Sequence, residues 1–199
     1  MKKSVLILGS GGREHALAWA FAKDDNVGKV YCAPGNGGTA EIAENIRVNL
    51  LNIQEVLRLA LEKNIDLTVV GPENPLASGI VDVFRKEGLR IFGPDKYAAQ
   101  LEGSKLFARN LMADKKIPQP SYYSCSTREE VESLKGILEL PLVLKADGLA
   151  AGKGVIVCGT DEEFERALKT IFEDGEFGEA ANRISLERCL VGEELSVFA

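Results

Sequence analysis

The chain opens with "SVLILGSGGREHALAWAFAK", residues 4–23, where an apolar run of strand length passes through a glycine turn into a helical pattern. Parallel strands can be joined only by a crossover, so this switch of hydrophobic period across one tight turn is the building unit of a parallel sheet. The unit recurs through the first hundred residues. "KVYCAP" (29–34), "DLTVVGPE" (66–73) and "RIFGPD" (90–95) read as further strands, and "NIQEVLRLALEKN" (52–64) and "PLASGIVDVFRKEG" (75–88) as helices. Helical spacing turns Ala16, Leu17, Ala20 and Phe21 to one face, then Ile53, Val56, Leu57 and Ala60, then Ile80, Val83 and Phe84. Such alternation predicts an open parallel α/β sheet covered on both faces, with ligands at the carboxyl ends of its strands. The glycine- and proline-rich turns 9–12, 34–38, 71–73 and 93–95 fall at those ends.

A different pattern follows. Residues 96–116 read as two short helices, and "KKIPQPSYY" (115–123) as a connection. "SYYSCS", "PLVLKA" (141–146), "GVIVCG" (154–159), "RISLERCL" and "EELSVFA" are strand-like. "TREEVESLKGIL" and "TDEEFERALKTIF" are helices opened by the capping pairs Thr127/Glu130 and Thr160/Glu163. The second helix aligns Phe164, Ala167, Leu168, Ile171 and Phe172. A small mixed sheet with two helices is expected. The organisation is therefore 1–103 as the parallel domain, 104–120 as a helix and linker, and 121–199 as a small α+β domain.

Composition narrows the partners. The 199 residues carry 30 acids against 24 bases, with no Lys/Arg-rich run and no aromatic–basic interleaving, so nucleic acid is not expected. No apolar stretch is long enough to cross a membrane, and the apolar run before Gly9 is too short for a signal peptide. Cys32, Cys125, Cys158 and Cys189 lie far apart, form no CxxC pair and sit in or beside strands. They read as buried thiols and not as a metal site or disulfides. A cytoplasmic protein is expected.

The opening turn can be tested against the dinucleotide fingerprint G-x-G-x-x-G. Gly9 and Gly11 fit its first two positions, but the third is Glu14, whose side chain obstructs close helix–strand packing. The acid expected near 31–35 is missing. NAD and FAD fail on both counts. What remains is a helix N-terminus whose amides can hold one phosphate, or else a bare structural turn. His15, the only histidine, is either an acid–base group beside that turn or a packing residue.

"VLKADGLAAGKGVIV" (143–157) resembles a P-loop but fails its spacing. Three residues separate Gly148 from Gly152, Gly154 stands where Ser or Thr would bind magnesium, and a strand follows instead of a helix. It is a glycine-rich loop between two strands, able to fold over nucleotide phosphates as a lid, with Lys153 adding charge. Lys145 is either an ordinary edge-strand lysine or a phosphate ligand. Its apolar neighbours Val143, Leu144 and Ala146 favour a ligand, because a lone buried ammonium is costly. "LERCLVGEELS" (186–196) places Glu187, Glu193 and Glu194 on a strand and turn, either as a solvated hairpin or as part of a nucleotide cleft.

Six blocks in order, "LILGSGGREHALAW", "APGNGGT", "VVGPENPLASGIVD", "FGPDKYAAQLEGSKLFAR", "LKADGLAAGKGVIV" and "LERCLVGEE", resemble the successive motifs of the phosphoribosylamine–glycine ligase (glycinamide ribonucleotide synthetase) family of the ATP-grasp superfamily. The resemblance implies a Rossmann-like N-terminal domain followed by part of an ATP-grasp fold, its lid subdomain. It implies that ATP phosphorylates the glycine carboxylate and that the amine of 5-phosphoribosylamine attacks the acyl phosphate. Glycinamide ribonucleotide, ADP and phosphate result, in the second step of de novo purine synthesis. Such a ligase positions its substrates, neutralises phosphate charge and excludes water, with no covalent nucleophile of its own.

Carried over motif by motif, Lys105 and Lys145 hold ATP phosphates, and Gly148, Leu149, Ala150, Ala151, Gly152, Lys153 and Gly154 form the lid. Glu187 and backbone atoms of Arg188 and Leu190 meet the adenine, and Glu194 the ribose. Gly9, Ser10, Gly11 and Gly12 take the 5′-phosphate of phosphoribosylamine, with Pro34, Gly35, Asn36, Gly37, Gly38, Thr39 and Glu73 lining the same cleft. The family continues beyond Ala199 and there supplies the ligands for Mg²⁺ or Mn²⁺, so the chain is expected to be an N-terminal fragment, silent or nearly so by itself. Two alternatives stand beside this: a non-catalytic nucleotide-binding module of the same fold, and another ATP-grasp ligase acting on a different acid.

Overall fold

The computed structural model of the chain describes residues 2–148, 154–174 and 182–197. It divides into two compact units, Met1–Gln100 and Leu101–Ala199, each built on its own sheet.

In the first unit β1 (Lys3–Gly9), β2 (Val27–Pro34), β3 (Glu44–Asn45), β4 (Leu67–Val70) and β5 (Ile91–Phe92) form a parallel sheet in the order β3-β2-β1-β4-β5. From Val5 onward the central strand β1 is apolar and buried because both its faces are covered. Leu6 and Leu8 point into one core with Tyr31, Val56, Ile80 and Phe84, while Val5 and Ile7 point into the other with Ala18, Val30, Cys32 and Val69. From β1 the chain builds outward to β2 and β3, then returns to place β4 on the other side. The carboxyl ends of β1 and β4 therefore flank a topological switch point.

The helices of this unit are α1 (Gly12–Ala22), α2 (Ile53–Glu62), α3 (Glu73–Ala77) and α4 (Ile80–Lys86). Two details depart from the sequence reading. The single helix expected over 75–88 is broken at Gly79, whose φ of +88° is left-handed and closes α3 before α4 begins. The inward face of α1 carries Glu14, Leu17, Ala18 and Phe21, whereas Ala16 and Ala20 are exposed. Alanines on every side leave that helix with little amphipathic bias, so its spacing specifies the face weakly. The two-residue β3 is too short to carry a period and has no sequence signature.

The second unit contains α6 (Lys105–Asp114), β6 (Tyr122–Cys125), α7 (Arg128–Lys135), β7 (Leu142–Ala146), β8 (Val155–Cys158), α8 (Asp161–Phe172) and β9 (Ile184–Arg188); α5 (Gln100–Gly103) precedes them. Strand order is β6-β9-β7-β8, and every pairing is antiparallel, so the mixed pairing read from the sequence does not occur among the described strands. One face of the sheet sends Leu142, Leu144, Ile184 and Leu186 into a core closed by Val131 of α7 and by Phe164, Ala167, Leu168 and Ile171 of α8. Both helices start where their caps predict: Thr127 accepts from the amide of Glu130, and Thr160 and Glu163 form a reciprocal box. The strand expected in "EELSVFA" is absent over 193–197, where Leu195 and Val197 are exposed; no described strand pairs with it, and an unpaired segment has no ladder to hold it. Residues 198 and 199 lie outside the described residues.

Phe164 is fully buried at the centre of the second core. Phe164→Ala is expected to cost about 3–5 kcal/mol, read as a lowered denaturant midpoint, whereas Thr160→Ala at the α8 cap costs about 1 kcal/mol.

Candidate functional site

On the sheet face opposite the second core, β7 carries Lys145 and β9 carries Ser185 and Glu187, because alternate residues of a strand share a face. Lys105 and Arg109 lie one turn apart on α6, and Arg109 meets Glu187. Lys105, Arg109, Lys145 and Glu187, together with Leu101, Glu102, Ala108, Met112 and Val155, line a cleft of about 340 Å³, of the size that holds small molecules.

Glu187 organises this cleft. It is 1% exposed, yet its carboxylate is saturated. Oε1 accepts from Arg109 Nε and Ser185 Oγ, each at 3.0 Å, and Oε2 accepts from Arg109 Nη2 and from Lys145 Nζ, the latter at 2.8 Å. Burial pushes its pKa up, but the hydrogen bonds from Arg109 and Lys145 outweigh that and hold it below the ordinary 4.5. Lys145 is thus not the lone cation its apolar neighbours suggested. The partner, Glu187, is on the adjacent strand, more than forty residues away in sequence.

The roots of the glycine loop are also fixed. Lys105 Nζ donates to the Gly148 carbonyl at 3.0 Å, and the Ala146 amide donates to the Gly154 carbonyl at 2.8 Å. Asp147 accepts from Ser104 Oγ (2.9 Å) and from the Leu106 amide (3.2 Å), tying the end of β7 to the first turn of α6, and it pairs with Arg183 at 3.1 Å. Leu149, Ala150, Ala151, Gly152 and Lys153 lie outside the described residues. Arg188 at the end of β9 and Leu190 and Glu194 beyond it are exposed, and the Arg188 amide donates to the Ser121 carbonyl. Glu187 faces the cleft, while Arg188 and the two residues beyond it are not among the lining side chains.

In the first unit the turns expected to act together do converge at the switch point. Asn36 Nδ2 donates to the carbonyls of Ser10 (2.9 Å) and Gly11 (3.3 Å), and the Gly35 amide donates to the Gly9 carbonyl (3.1 Å), so the loop after β2 is bound to the turn after β1. Thr39 is buried and locks that loop by accepting from the Asn36 amide. Pro34 ends β2, Gly37 faces open space, and Gly38 packs against the imidazole of His15. Gly12 starts α1, and Glu73, which starts α3, pairs with Arg13 at 3.0 Å.

Glu14 is the surprise here. Its side chain folds back into the turn, 3% exposed, and Oε2 accepts from the Gly11 amide. One amide expected to face a phosphate is thus already satisfied by an anion of the chain itself, placed where the helix dipole favours negative charge. Oε1 has no hydrogen-bond partner among the described residues, and Arg13 Nε lies 4.0 Å away. A β-carbon added at Gly71 would lie 2.0 Å from Glu14 Oε1, and one at Gly9 would lie 2.6 Å from its carboxyl carbon. Glu14, Arg109, Asp147 and Ser185 were all missed as site residues. Arg109 had a signal, since it follows Lys105 by one helical turn.

The sequence matches two family profiles end to end: the N domain of phosphoribosylglycinamide synthetase over residues 3–102, and the ATP-grasp (A) domain of the same synthetase over residues 103–199. A phosphoribosylamine–glycine ligase of Pseudomonas putida is 51% identical over 96% of this chain and 45% of its own length. One from Halalkalibacterium halodurans is 46% identical over 98% of this chain and 46% of its own. The chain thus spans under half the length of these relatives. Among solved structures, the phosphoribosylamine–glycine ligase of Thermotoga maritima superposes with a TM-score of 0.75 at 33% identity, covering 96% of this chain and 44% of that one. An ADP complex of N5-carboxyaminoimidazole ribonucleotide synthetase shares the fold, with a TM-score of 0.71 at 20% identity, over 94% of this chain and 47% of that one.

Two outcomes follow from the buried carboxylates. Gly71→Ala is expected to destabilise the first unit by about 1–3 kcal/mol through overpacking, and Glu14→Ala in the same chain should recover most of that loss in a double-mutant cycle of denaturant midpoints. Glu187, with its pKa depressed by folding, contributes stability that is fully present above its ordinary 4.5 and is lost as pH falls through the lower folded value. Acid titration of the unfolding midpoint should therefore drop less steeply below that point in Glu187→Gln than in the unaltered chain.

Proposed function

Because the chain belongs to the phosphoribosylglycinamide synthetase family, we propose that it forms the first two regions of an ATP-dependent carbon–nitrogen ligase that joins glycine to 5-phosphoribosylamine. The observation that carries this reading is the cleft of the second unit. It gathers three cations, Lys105, Arg109 and Lys145, against Glu102 and one saturated carboxylate, so its charge suits an anion. That donor set fits the phosphates of ATP.

ATP supplies the activation: a carboxylate is a poor electrophile, and phosphorylation gives it a leaving group. The amine of phosphoribosylamine then attacks the glycyl phosphate, releasing phosphate and leaving glycinamide ribonucleotide and ADP. Lys145 and Lys105 neutralise phosphate charge, each from a stiff element. Gly148–Gly154 is the lid, and its rooting through Lys105 and Asp147 sets where it can close. Backbone atoms of Arg188 and Leu190 receive the adenine and Glu194 the ribose. Glu187 acts there chiefly as the partner of Lys145 before the nucleotide arrives. In the first unit Gly9–Gly12, Pro34–Thr39 and Glu73 receive phosphoribosylamine. With the Gly11 amide engaged by Glu14, the 5′-phosphate is assigned to the Gly12 end of the turn. Among the described residues no cluster of three or more His, Cys, Asp or Glu side chains comes together, and no residue of this chain is assigned to Mg²⁺ or Mn²⁺. No described helix is long and apolar enough to cross a membrane, and the substrates are small and water-soluble; we place the reaction in the cytoplasm.

The test is ADP release with Mg-ATP and freshly made phosphoribosylamine, with and without glycine, by this chain and by a form extended to the length of its relatives. Glycine-dependent release by the extended form is expected, with little from the shorter chain. Release indifferent to glycine would overturn the ligase reading, and ATP binding by the extended form with no ADP release would favour the non-catalytic nucleotide-binding module. In the extended form Lys145→Ala should weaken ATP binding by about tenfold or more, with the melting temperature nearly unchanged, because Arg109 and Ser185 still satisfy Glu187. Parallel losses of affinity and stability would count against a phosphate ligand.

A further inference from the structure

Glu187 has more cation than it needs. A guanidinium fork bound through Nε and Nη2 already engages both carboxylate oxygens, and Ser185 adds a third donor. Lys145 is a fourth, on an oxygen that Arg109 also holds. The two cations differ in what they can do next. Arg109 has two nitrogens committed in a fixed geometry, and its side chain is 16% exposed. Lys145 makes one bond to Glu187 from a flexible stem, and it lines the cleft.

We propose that Arg109 is the resident counterion of Glu187, and that its presence releases Lys145 to leave the carboxylate for the polyphosphate of a nucleotide. The inference rests on the nucleotide reading given above, and it adds a residue that sets anion affinity without touching the anion. If Lys145 were the only cation on Glu187, moving it to a phosphate would strand a buried carboxylate beside a single hydroxyl, and the lysine would stay where it is. With Arg109 in place the carboxylate remains paired in both states. Arg109 is thus a positioning residue, acting on the phosphates through Glu187 and Lys145.

The readout is the phosphate increment: the ratio of the dissociation constants of adenosine and ADP, measured calorimetrically on this chain without metal. In the unaltered chain ADP should bind the more tightly. Arg109→Gln should reduce the increment by about thirtyfold while adenosine affinity changes little. Arg109→Lys should keep most of it, since a cation still faces Glu187. The deciding variant is the double substitution Arg109→Gln with Glu187→Gln, which leaves no buried charge to strand and frees Lys145; it should restore the increment. An undiminished increment in Arg109→Gln overturns the proposal, as does a double variant that stays low, and both leave the nucleotide reading intact. Should Arg109→Gln fail to fold, the charge-balanced double variant and Arg109→Lys decide the matter alone. Failure of the unaltered chain to bind ADP at all overturns this proposal together with the nucleotide reading.

Discussion

A carboxylate removed from water must meet donors enough to replace its hydration, and in the second unit Glu187 imposes that demand on everything near it. The need for a fork at its two oxygens places Arg109 on the inner side of α6, which lays that helix across the sheet face opposite the core. The same helix then delivers Lys105 to the root of the glycine loop, and Ser104 and the Leu106 amide to Asp147. One buried charge thereby connects α6, β7 and β9 by polar bonds on one face, while packing of Leu144, Leu186 and Phe164 joins β7 and β9 to α8 by apolar contact on the other. The apolar side supplies stability, and the polar side supplies position.

The first unit solves the same problem with less. Glu14 has a helix N-terminus, one amide and a distant guanidinium, and one of its oxygens is without a bonding partner among the described residues. Its surroundings are glycine, which allow close approach but donate little. The two sites thus differ in kind: the second holds a balanced ion cluster with a surplus cation, and the first holds a carboxylate that shapes its turn by occupying space.

Much of this was legible in the sequence because it is periodic. The alternation of β1, α1 and β2, the caps at Thr127 and Thr160, and the apolar stripe of α8 are patterns local to a few turns of chain, and the motif blocks carry the family. What escaped is not local. Nothing near Lys145 in sequence announces Glu187 as its partner, since the pair exists only once β7 and β9 are in register, with Lys145 opposite Ser185 and Glu187 two residues on. Glu14 was read correctly as a departure from the dinucleotide fingerprint, but its turning back into the glycines depends on Gly71, which arrives with β4. The break at Gly79 could have been suspected from a glycine inside a helical pattern, whereas β3 has no pattern to find.

The three glycines around Glu14 bear on how this turn can change over evolutionary time. So long as position 14 holds a long side chain, any residue with a β-carbon at 9 or 71 collides with it. Glycine at 14 would lift the restriction at 71 but uncap the Gly11 amide, and position 9, whose φ is +129°, would still favour glycine. Substitution at 14 and 71 is therefore ordered: the glutamate must go first, and position 71 becomes free to vary only afterwards. Two segments some sixty residues apart behave as a single inherited character.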